Sequence, residues 1–284
     1  MLDYLLYGVL TGSILLIASV GFAIIRRVEG YLDIGYGQYI AIGAYTSWYL
    51  YSVAGLPIVI AALGAVLVTS ALAFCCNVLF YKPIRSYGNV MLLFTSVGVA
   101  FFLHGAIEAL WGVNSRNFNL PRPKIFEFGD ILFVTSNELL IILVAVLSTL
   151  AIHFLFKKTK IGKAIRAMAS NFQLANVRGI NTSKMSTYVH LIAGALGGLS
   201  GVLMGITGTV YSDIGWANIL LVLSAVILAG LEGSIYGVML GAMIVGVGME
   251  CSVMILPPAY RTAVAFLIII VVLFIKPEGL FKRK

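Results

Sequence analysis

Charged residues are scarce in this chain. Only 11% of its 284 residues are charged, 61% are hydrophobic, and the mean hydropathy is +1.03. Soluble domains carry about a quarter charged residues and about half apolar ones. A water-soluble domain of this size needs a polar exterior that this composition cannot supply. The sequence therefore predicts a membrane protein.

Patterns for catalysis or metal binding are also missing. Cys75 and Cys76 are neighbours, Cys251 is distant, and none has a metal-type spacing. The three histidines form no His-Glu-x-x-His cluster, and no Gly-x-x-x-x-Gly-Lys-Ser/Thr phosphate loop is present. We therefore predict no enzyme and no cofactor in this chain, and any ATP would have to be bound by another polypeptide.

Long apolar runs are what the sequence has in abundance. About 20 apolar residues are needed to cross the hydrocarbon as a helix. Most of the runs are close to that length, and the shortest, 218–230, is a thin crossing or half of a broken helix. The predicted fold is an all-α polytopic membrane protein of about 8–9 transmembrane helices, with spans at Tyr4–Ile25, Tyr31–Leu50, Pro57–Phe80, Val90–Trp111, Glu138–Phe156, Ser186–Ile206, Asn218–Gly230, Ser234–Leu256 and Arg261–Ile275.

The placement of Lys and Arg favours nine crossings. The net charge is +8, but the basic residues lie in short clusters between apolar runs, which indicates membrane topology rather than nucleic-acid binding. With nine crossings, the N-terminus outside and the C-terminus in the cytoplasm, the cytoplasmic side holds all the basic residues except Arg116, Arg122, Lys124 and Arg261.

Two connections between the spans are long. In this topology 112–137 is an external loop and 157–184 a cytoplasmic one, and residues 1–284 form one transmembrane domain. The cytoplasmic loop contains a helical pattern whose apolar stripe is separated from its Lys and Arg residues. Such a helix can lie on anionic lipid or dock in a groove of a cytoplasmic partner. The stripe consists of Ile161, Ile165, Met168, Phe172 and Ala175.

The same loop resembles the coupling loop of the branched-chain amino acid ABC transporter permeases. That family has a Thr-x-x-Gly-x-Ala-x-Arg-Ala run, then an Ala and Gly-Ile-Asn. The matching residues here are Thr159, Gly162, Ala164, Arg166, Ala167, Ala175, Gly179, Ile180 and Asn181.

Three other segments resemble the family in the same order. A Gly-Ala-Tyr block follows a changed Asn-x-Ala-His-Gly block, in which Asp33 replaces Asn and Tyr36 replaces His. A Gly-rich turn and a C-terminal Lys-Pro-x-Gly-Leu-Phe block complete the set. The resemblance therefore covers nearly the whole chain.

The resemblance implies a permease subunit of a type II ABC importer in a bacterial or archaeal plasma membrane. Its expected partners are two cytoplasmic ATPases carrying ATP-Mg, a second permease subunit that is a homologue or a second copy, an extracytoplasmic substrate-binding protein and membrane lipid. The expected cargo is branched-chain or related amino acids, with urea or short amides as alternatives.

Residue roles follow from the resemblance. It implies ATPase coupling through Thr159, Ile161, Gly162, Ile165, Arg166, Ala167, Met168, Phe172, Ala175 and Gly179, with Arg166 making a polar contact and Ile165, Met168 and Phe172 entering the ATPase groove. The translocation path is expected to include Asp33, Tyr36, Gly37, Gln38, Gly230, Gly233 and Ser234.

Glycines spaced by four predict close helix packing. They are the pairs Gly194/Gly198 and Gly201/Gly205 in one predicted span and the pair Gly237/Gly241 in another.

An ion-coupled secondary transporter is the rival class. It would need ionisable groups near the centres of spans, and those centres are nearly bare. His104 and Glu108 share one helix face near a span end, and structural pairing is the expected role of such groups. Backbone carbonyls could still hold sodium, so this alternative stays open.

Overall fold

The computed structural model describes residues 2–121, 123–128, 132–230 and 234–280. Within them the chain forms twelve α-helices, two short strands and a few π- or 3₁₀-helical turns. The helices are α1 (Leu2–Glu29), α2 (Tyr36–Trp48), α3 (Ile58–Cys76), α4 (Lys82–Ile84), α5 (Asn89–Trp111), α6 (Ser136–Lys158), α7 (Lys160–Ser170), α8 (Phe172–Val177), α9 (Thr182–Thr207), α10 (Ile214–Ala229), α11 (Ile235–Ser252) and α12 (Arg261–Ile275).

Seven helical segments of the described residues are long and apolar enough to cross a membrane, namely those containing α1, α3, α5, α6, α9, α11 and α12. Each of the nine predicted spans contains one helix, so the predicted all-α membrane fold is confirmed. The helices of the other two predicted spans are shorter. They are α10, with 16 residues, and α2, with 13 residues followed by the π-helical turn Tyr49–Val53.

A β-hairpin lies in the predicted external loop. Strand β1 (Ile125–Phe128) pairs antiparallel with β2 (Leu132–Thr135), with Ile125 opposite Thr135. The hairpin leads directly into α6, where Glu138 accepts a hydrogen bond from the Thr135 N–H at 2.8 Å. A carboxylate on these first free N–H groups is favourable at a helix N-terminus.

The chain divides into two compact units by its internal contacts. One unit contains residues 1–20, 119–147 and 217–284, and the other contains 21–118 and 148–216. The first has an apolar cluster of α1, α10, α11 and α12 side chains that includes Leu15, Ala225, Val245 and Ala265.

The second unit is built around α2. Twelve of the 13 residues of α2 are buried, and α2 and α3 both pack along α9. In contrast, α3 and α5 carry a surface of large exposed apolar side chains, among them Leu63, Leu67, Phe94 and Phe102. Exposed apolar patches of this kind fit a lipid environment, where no water has to be excluded from them.

Candidate coupling loop and buried polar sites

The corner between α6 and α7 explains the Thr-x-x-Gly pair. Thr159 is the N-cap of α7, and its hydroxyl accepts a hydrogen bond from the Gly162 N–H at 2.9 Å. Gly162 is buried, and a Cβ there would come 2.6 Å from Cα of Phe156. Glycine therefore lets the first turn of α7 pass against the end of α6.

Arg166 also links α7 to the end of α6. Its guanidinium donates a hydrogen bond to the backbone carbonyl of Phe156. The last carbonyls of a helix have no partner within it and carry partial negative charge, so a cation is favourable there. Arg166 is thus anchored within its own chain at the C-terminal end of α6, although the residue remains exposed.

The apolar stripe of α7 and α8 is covered by the chain itself. Ile165 is 1% exposed, Met168 2% and Ala175 4%. Phe172 is half-buried, and the Arg85 guanidinium lies over its ring, 4.6 Å from the centroid. The sequence-based assignment of Ile165, Met168 and Phe172 to an ATPase groove therefore needs revision, because in this structure their apolar surface packs within the unit.

The opposite face of α7 and α8 is open. Lys163 and Ala167 are exposed on α7, while Leu174 and Val177 of α8 are 53% and 84% exposed. Two exposed apolar side chains beside a basic helix form a surface that a protein partner could cover. Sequence reasoning missed Leu174 and Val177, although their apolar character outside the stripe was the signal. Ile161, the remaining stripe residue, is half-buried.

The Gly-Ile-Asn block joins α8 to α9. Gly179 has a φ of +83° just after α8 ends, a left-handed conformation in which glycine is favoured. Asn181 caps α9, because its side-chain oxygen accepts a hydrogen bond from the Lys184 N–H at 2.9 Å. Both residues thus fix the direction in which the loop re-enters the bundle.

Asp33, from the predicted translocation path, falls inside the predicted span Tyr31–Leu50, but the helix of that span begins only at Tyr36. Asp33 therefore lies in the turn between α1 and α2, outside the helical part of the span. It is fully buried, and its Oδ1 accepts a hydrogen bond from the Tyr81 hydroxyl at 2.9 Å. Its Oδ2 has no hydrogen-bond partner among the described residues. Burial raises the pKa of the Asp33 carboxyl to about 7, against the lowering effect of Tyr81.

The other predicted path residues of this segment are buried as well. The Tyr36 ring packs edge-to-face on Phe22, and a Cβ at Gly21 would collide with its hydroxyl. Gln38 is fully buried, and neither of its amide atoms has a hydrogen-bond partner within the described part of the chain. Gly37 is buried beside it, and a Cβ at Gly215 would come 2.7 Å from the Gly37 carbonyl.

The rest of the predicted path belongs to the other unit. Gly230 has a φ of +97°, and a Cβ there would come 2.6 Å from the Glu278 carbonyl. Ser234 caps α11 by accepting a hydrogen bond from the Gly237 N–H at 3.0 Å. Gly233 lies outside the described residues.

The glycines of α9 sit where other helices come close. A Cβ at Gly194 would come 2.7 Å from the Thr69 carbonyl of α3, and one at Gly201 would collide with the Ile40 carbonyl of α2. Gly198 faces Thr69, and Gly205 faces Phe118. In the other unit, Gly241 of α11 approaches the Ala225 carbonyl of α10, and Gly237 is buried near the start of α11.

Glu250 and His104 are ionisable side chains in membrane-length helices, and both lie beside groups of opposite charge type. Glu250 is 6% exposed, and its carboxylate binds Arg261 through two contacts of 3.3 Å. Thr11 donates a third hydrogen bond to Glu250 at 3.0 Å. His104 has carboxylate oxygens of Glu108 at 3.5 Å and Asp213 at 3.7 Å.

Two further histidines complete the set. His190 is fully buried and lies 3.5 Å from the Tyr31 hydroxyl, while His153 packs edge-to-face on Phe154. No group of three His, Cys, Asp or Glu side chains that could hold a metal ion occurs among the residues that the structure describes.

Solved structures show where the fold has been seen before. A chain of PsaBC from Streptococcus pneumoniae, solved in complex with Fab, superposes with a TM-score of 0.52. The alignment covers 97% of this chain and 92% of that one at 14% sequence identity, so it speaks for the fold alone.

Sequence relatives extend over the whole chain. LivH of Salmonella typhimurium, a high-affinity branched-chain amino acid transport system permease protein, is 26% identical over 99% of this chain and 96% of its own length. BraD of Pseudomonas aeruginosa, named in the same way, is 27% identical over 99% and 96%. The family profile described as "Branched-chain amino acid transport system / permease component" matches residues 4–273. With nearly its full length matched, the chain belongs to this family of transport-system permease components.

Proposed function

We propose that this chain is the membrane-spanning subunit of an ABC importer that passes branched-chain amino acids across a bacterial or archaeal plasma membrane. The observation that carries the proposal is the full-length match to permeases named for this cargo. The multi-pass helical fold and the paired ionisable groups of the helices support transport without ion coupling in this chain.

The energy for transport would come from outside the chain. The sequence has no phosphate loop, so ATP-Mg would be held by two cytoplasmic ATPase subunits. A second permease subunit would complete the path, and an extracytoplasmic binding protein would deliver the amino acid. The basic residues Arg26, Arg27, Lys157 and Lys158 in the last turns of α1 and α6 support a topology in which these helix ends would face the cytoplasm and the N-terminus would lie outside.

The contact with the ATPase would use the open face of α7 and α8. The buried stripe holds this helix pair on the bundle, so a push on the exposed face would move a supported element rather than a loose loop. Packed helices have discrete arrangements, and such a push can switch the path between outward- and inward-facing states. Leu174 and Val177 would enter the ATPase groove, and Lys163 and Arg166 would surround them.

Transport assays test the cargo and the energy source together. The co-expressed complex, reconstituted into proteoliposomes, should accumulate radiolabelled leucine only with ATP and the binding protein. Uptake driven by a proton or sodium gradient without ATP would overturn the proposal in favour of secondary transport. Uptake of urea or acetamide instead of leucine would keep the transporter class and change the cargo.

Two substitutions test the contact surface. Leu174→Glu and Val177→Glu should each reduce ATPase co-purification and leucine uptake at least tenfold, since a carboxylate would be forced into an apolar groove. Val113→Glu is the matched control, because Val113 is 66% exposed in the loop after α5. Wild-type ATPase binding by both α8 variants would contradict the assignment of this surface.

A further inference from the structure

Arg85 connects two segments that are far apart in sequence. It lies in the 3₁₀ turn Arg85–Tyr87 just before α5. Its guanidinium forms an ion pair with Glu29, the last residue of α1, and also covers the ring of Phe172, the first residue of α8. One side chain therefore bridges α8 and the end of α1.

The two contacts use different parts of the guanidinium group. A terminal Nη2 binds the Glu29 carboxylate at the edge of the group, while the central Cζ lies over the Phe172 ring, 4.6 Å from the centroid. A guanidinium suits this pair of contacts, because it can bind a carboxylate at its edge and offer its flat face to an aromatic ring. A lysine at this position could retain the ion pair but would lose the stacked surface.

Glu29 holds Arg85 at the end of α1. Its side chain is 3% exposed, its Oε2 pairs with Arg85, and its Oε1 has no hydrogen-bond partner in the described ranges. A buried carboxylate without its cation is strongly unfavourable. Displacement of Arg85 must therefore either carry the end of α1 with it or break this pair.

A second contact ties the same two segments together. Tyr81, four residues before Arg85, donates its hydroxyl hydrogen bond to Asp33, four residues after Glu29. The stretch from Tyr81 to Arg85 is thus held to the α1–α2 turn at both ends. The α1–α2 turn leads directly into α2, the most buried helix of its unit.

We propose that Arg85 is a positioning residue that transmits movement of α8 to the α1–α2 turn and so couples the ATPase stroke to the helices around α2. The inference rests on the proposed function, in which α7 and α8 contact the ATPase. Arg85 does not touch cargo or nucleotide. It determines whether movement at the loop reaches the helices.

Variants of the two stacked partners test this transmission. Arg85→Lys and Phe172→Leu should lower leucine imported per ATP hydrolysed by roughly five- to tenfold, while ATP hydrolysis and ATPase co-purification stay near wild type. Phe172→Trp should retain coupling, because Trp is the strongest ring partner for a cation. Phe154→Leu is the matched control, since Phe154 is 56% exposed on α6 and lies outside this bridge.

If Arg85 only stabilises the fold, the ratio of leucine imported to ATP hydrolysed should not change in these variants. If Arg85→Lys and Phe172→Leu import leucine at the wild-type ratio to ATP, Arg85 does not transmit movement and the inference is wrong. The double variant Glu29→Gln with Arg85→Gln checks folding, because it removes both charges of the ion pair. Compared with Arg85→Gln alone, it should have higher thermal stability but no better coupling. If the wild-type chain retains no ATPase at all, the proposed function fails first, and that outcome is recognisable before any variant is compared.

Discussion

Glu250 and Asp33 are both buried carboxyl groups, one in each unit of the chain, and the structure treats them differently. Glu250 receives two contacts from Arg261 and one from Thr11. Asp33 receives a neutral phenol hydrogen bond from Tyr81, and burial moves its pKa to about 7. The comparison teaches that a buried carboxyl can be accommodated by direct contacts with a cation or by a neutral hydrogen-bond donor in a site that favours the proton.

The largest effect is expected when the cation is removed from the first site. Arg261→Gln would leave the Glu250 charge buried and unpaired, so we expect a loss of about 3 kcal/mol of stability. Thermal unfolding of the detergent-purified protein measures the loss. The double variant Glu250→Gln with Arg261→Gln should recover most of it, and an unchanged melting temperature for Arg261→Gln alone would show that Glu250 does not depend on the pair.

Asp33→Asn should act in the opposite direction. Between the unfolded pKa near 4 and the folded value of about 7, the folded chain binds more protons at Asp33 than the unfolded chain, so stability falls as pH rises. Asn has no charge to bury, and its carbonyl can still accept from Tyr81. The stability gain of Asp33→Asn should therefore be about 2.6 kcal/mol larger at pH 8 than at pH 5.

Melting curves of wild type and Asp33→Asn at the two pH values provide the measurement. Tyr81→Phe is a useful companion variant, because it removes the hydroxyl whose hydrogen bond lowers the Asp33 pKa. The variant should therefore lose more stability than wild type when the pH is raised from 5 to 8. A pH-independent difference between wild type and Asp33→Asn would mean that Asp33 stays ionised in the folded protein.

The smallest effect concerns the neutral donor to Glu250. Thr11→Val keeps the shape of the side chain and removes one hydrogen bond of 3.0 Å, while both Arg261 contacts remain. We expect a loss of about 1 kcal/mol, close to the contribution of one hydrogen bond. Thermal unfolding again measures it, and a loss as large as that of Arg261→Gln would show that Thr11 does more than supplement the ion pair.

Much of this architecture could be predicted from the sequence. Each predicted apolar run contains a helix, because run length and hydropathy alone decide what can cross lipid. The paired strands β1 and β2 were missed, although both runs are rich in Ile, Phe and Val and the sequence between them contains Gly129 and Asp130, a turn signal.

Periodicity predicted the stripe of α7 and α8 but not what covers it. Ile165, Met168 and Ala175 repeat at helical spacing, and that spacing gives the same signal whether a partner, a lipid surface or the chain itself lies against them. The sequence likewise does not show which glycines lie at a close contact between helices. Gly201 of α9 meets the Ile40 carbonyl, whereas Gly98 of α5 has nothing within 4 Å of where a Cβ would stand.

The burial of α2 has a consequence for how the protein is made. During synthesis α2 emerges early, but α9, one of the two helices it packs along, is translated only after α3, α5 and α6. Gln38 and Ser47 of α2 are fully buried in the finished protein, and Gln38 lies against Gly215 of α10, which is translated after α9. An exposed amide in hydrocarbon is costly, so the packing of α2 can be completed only late in translation.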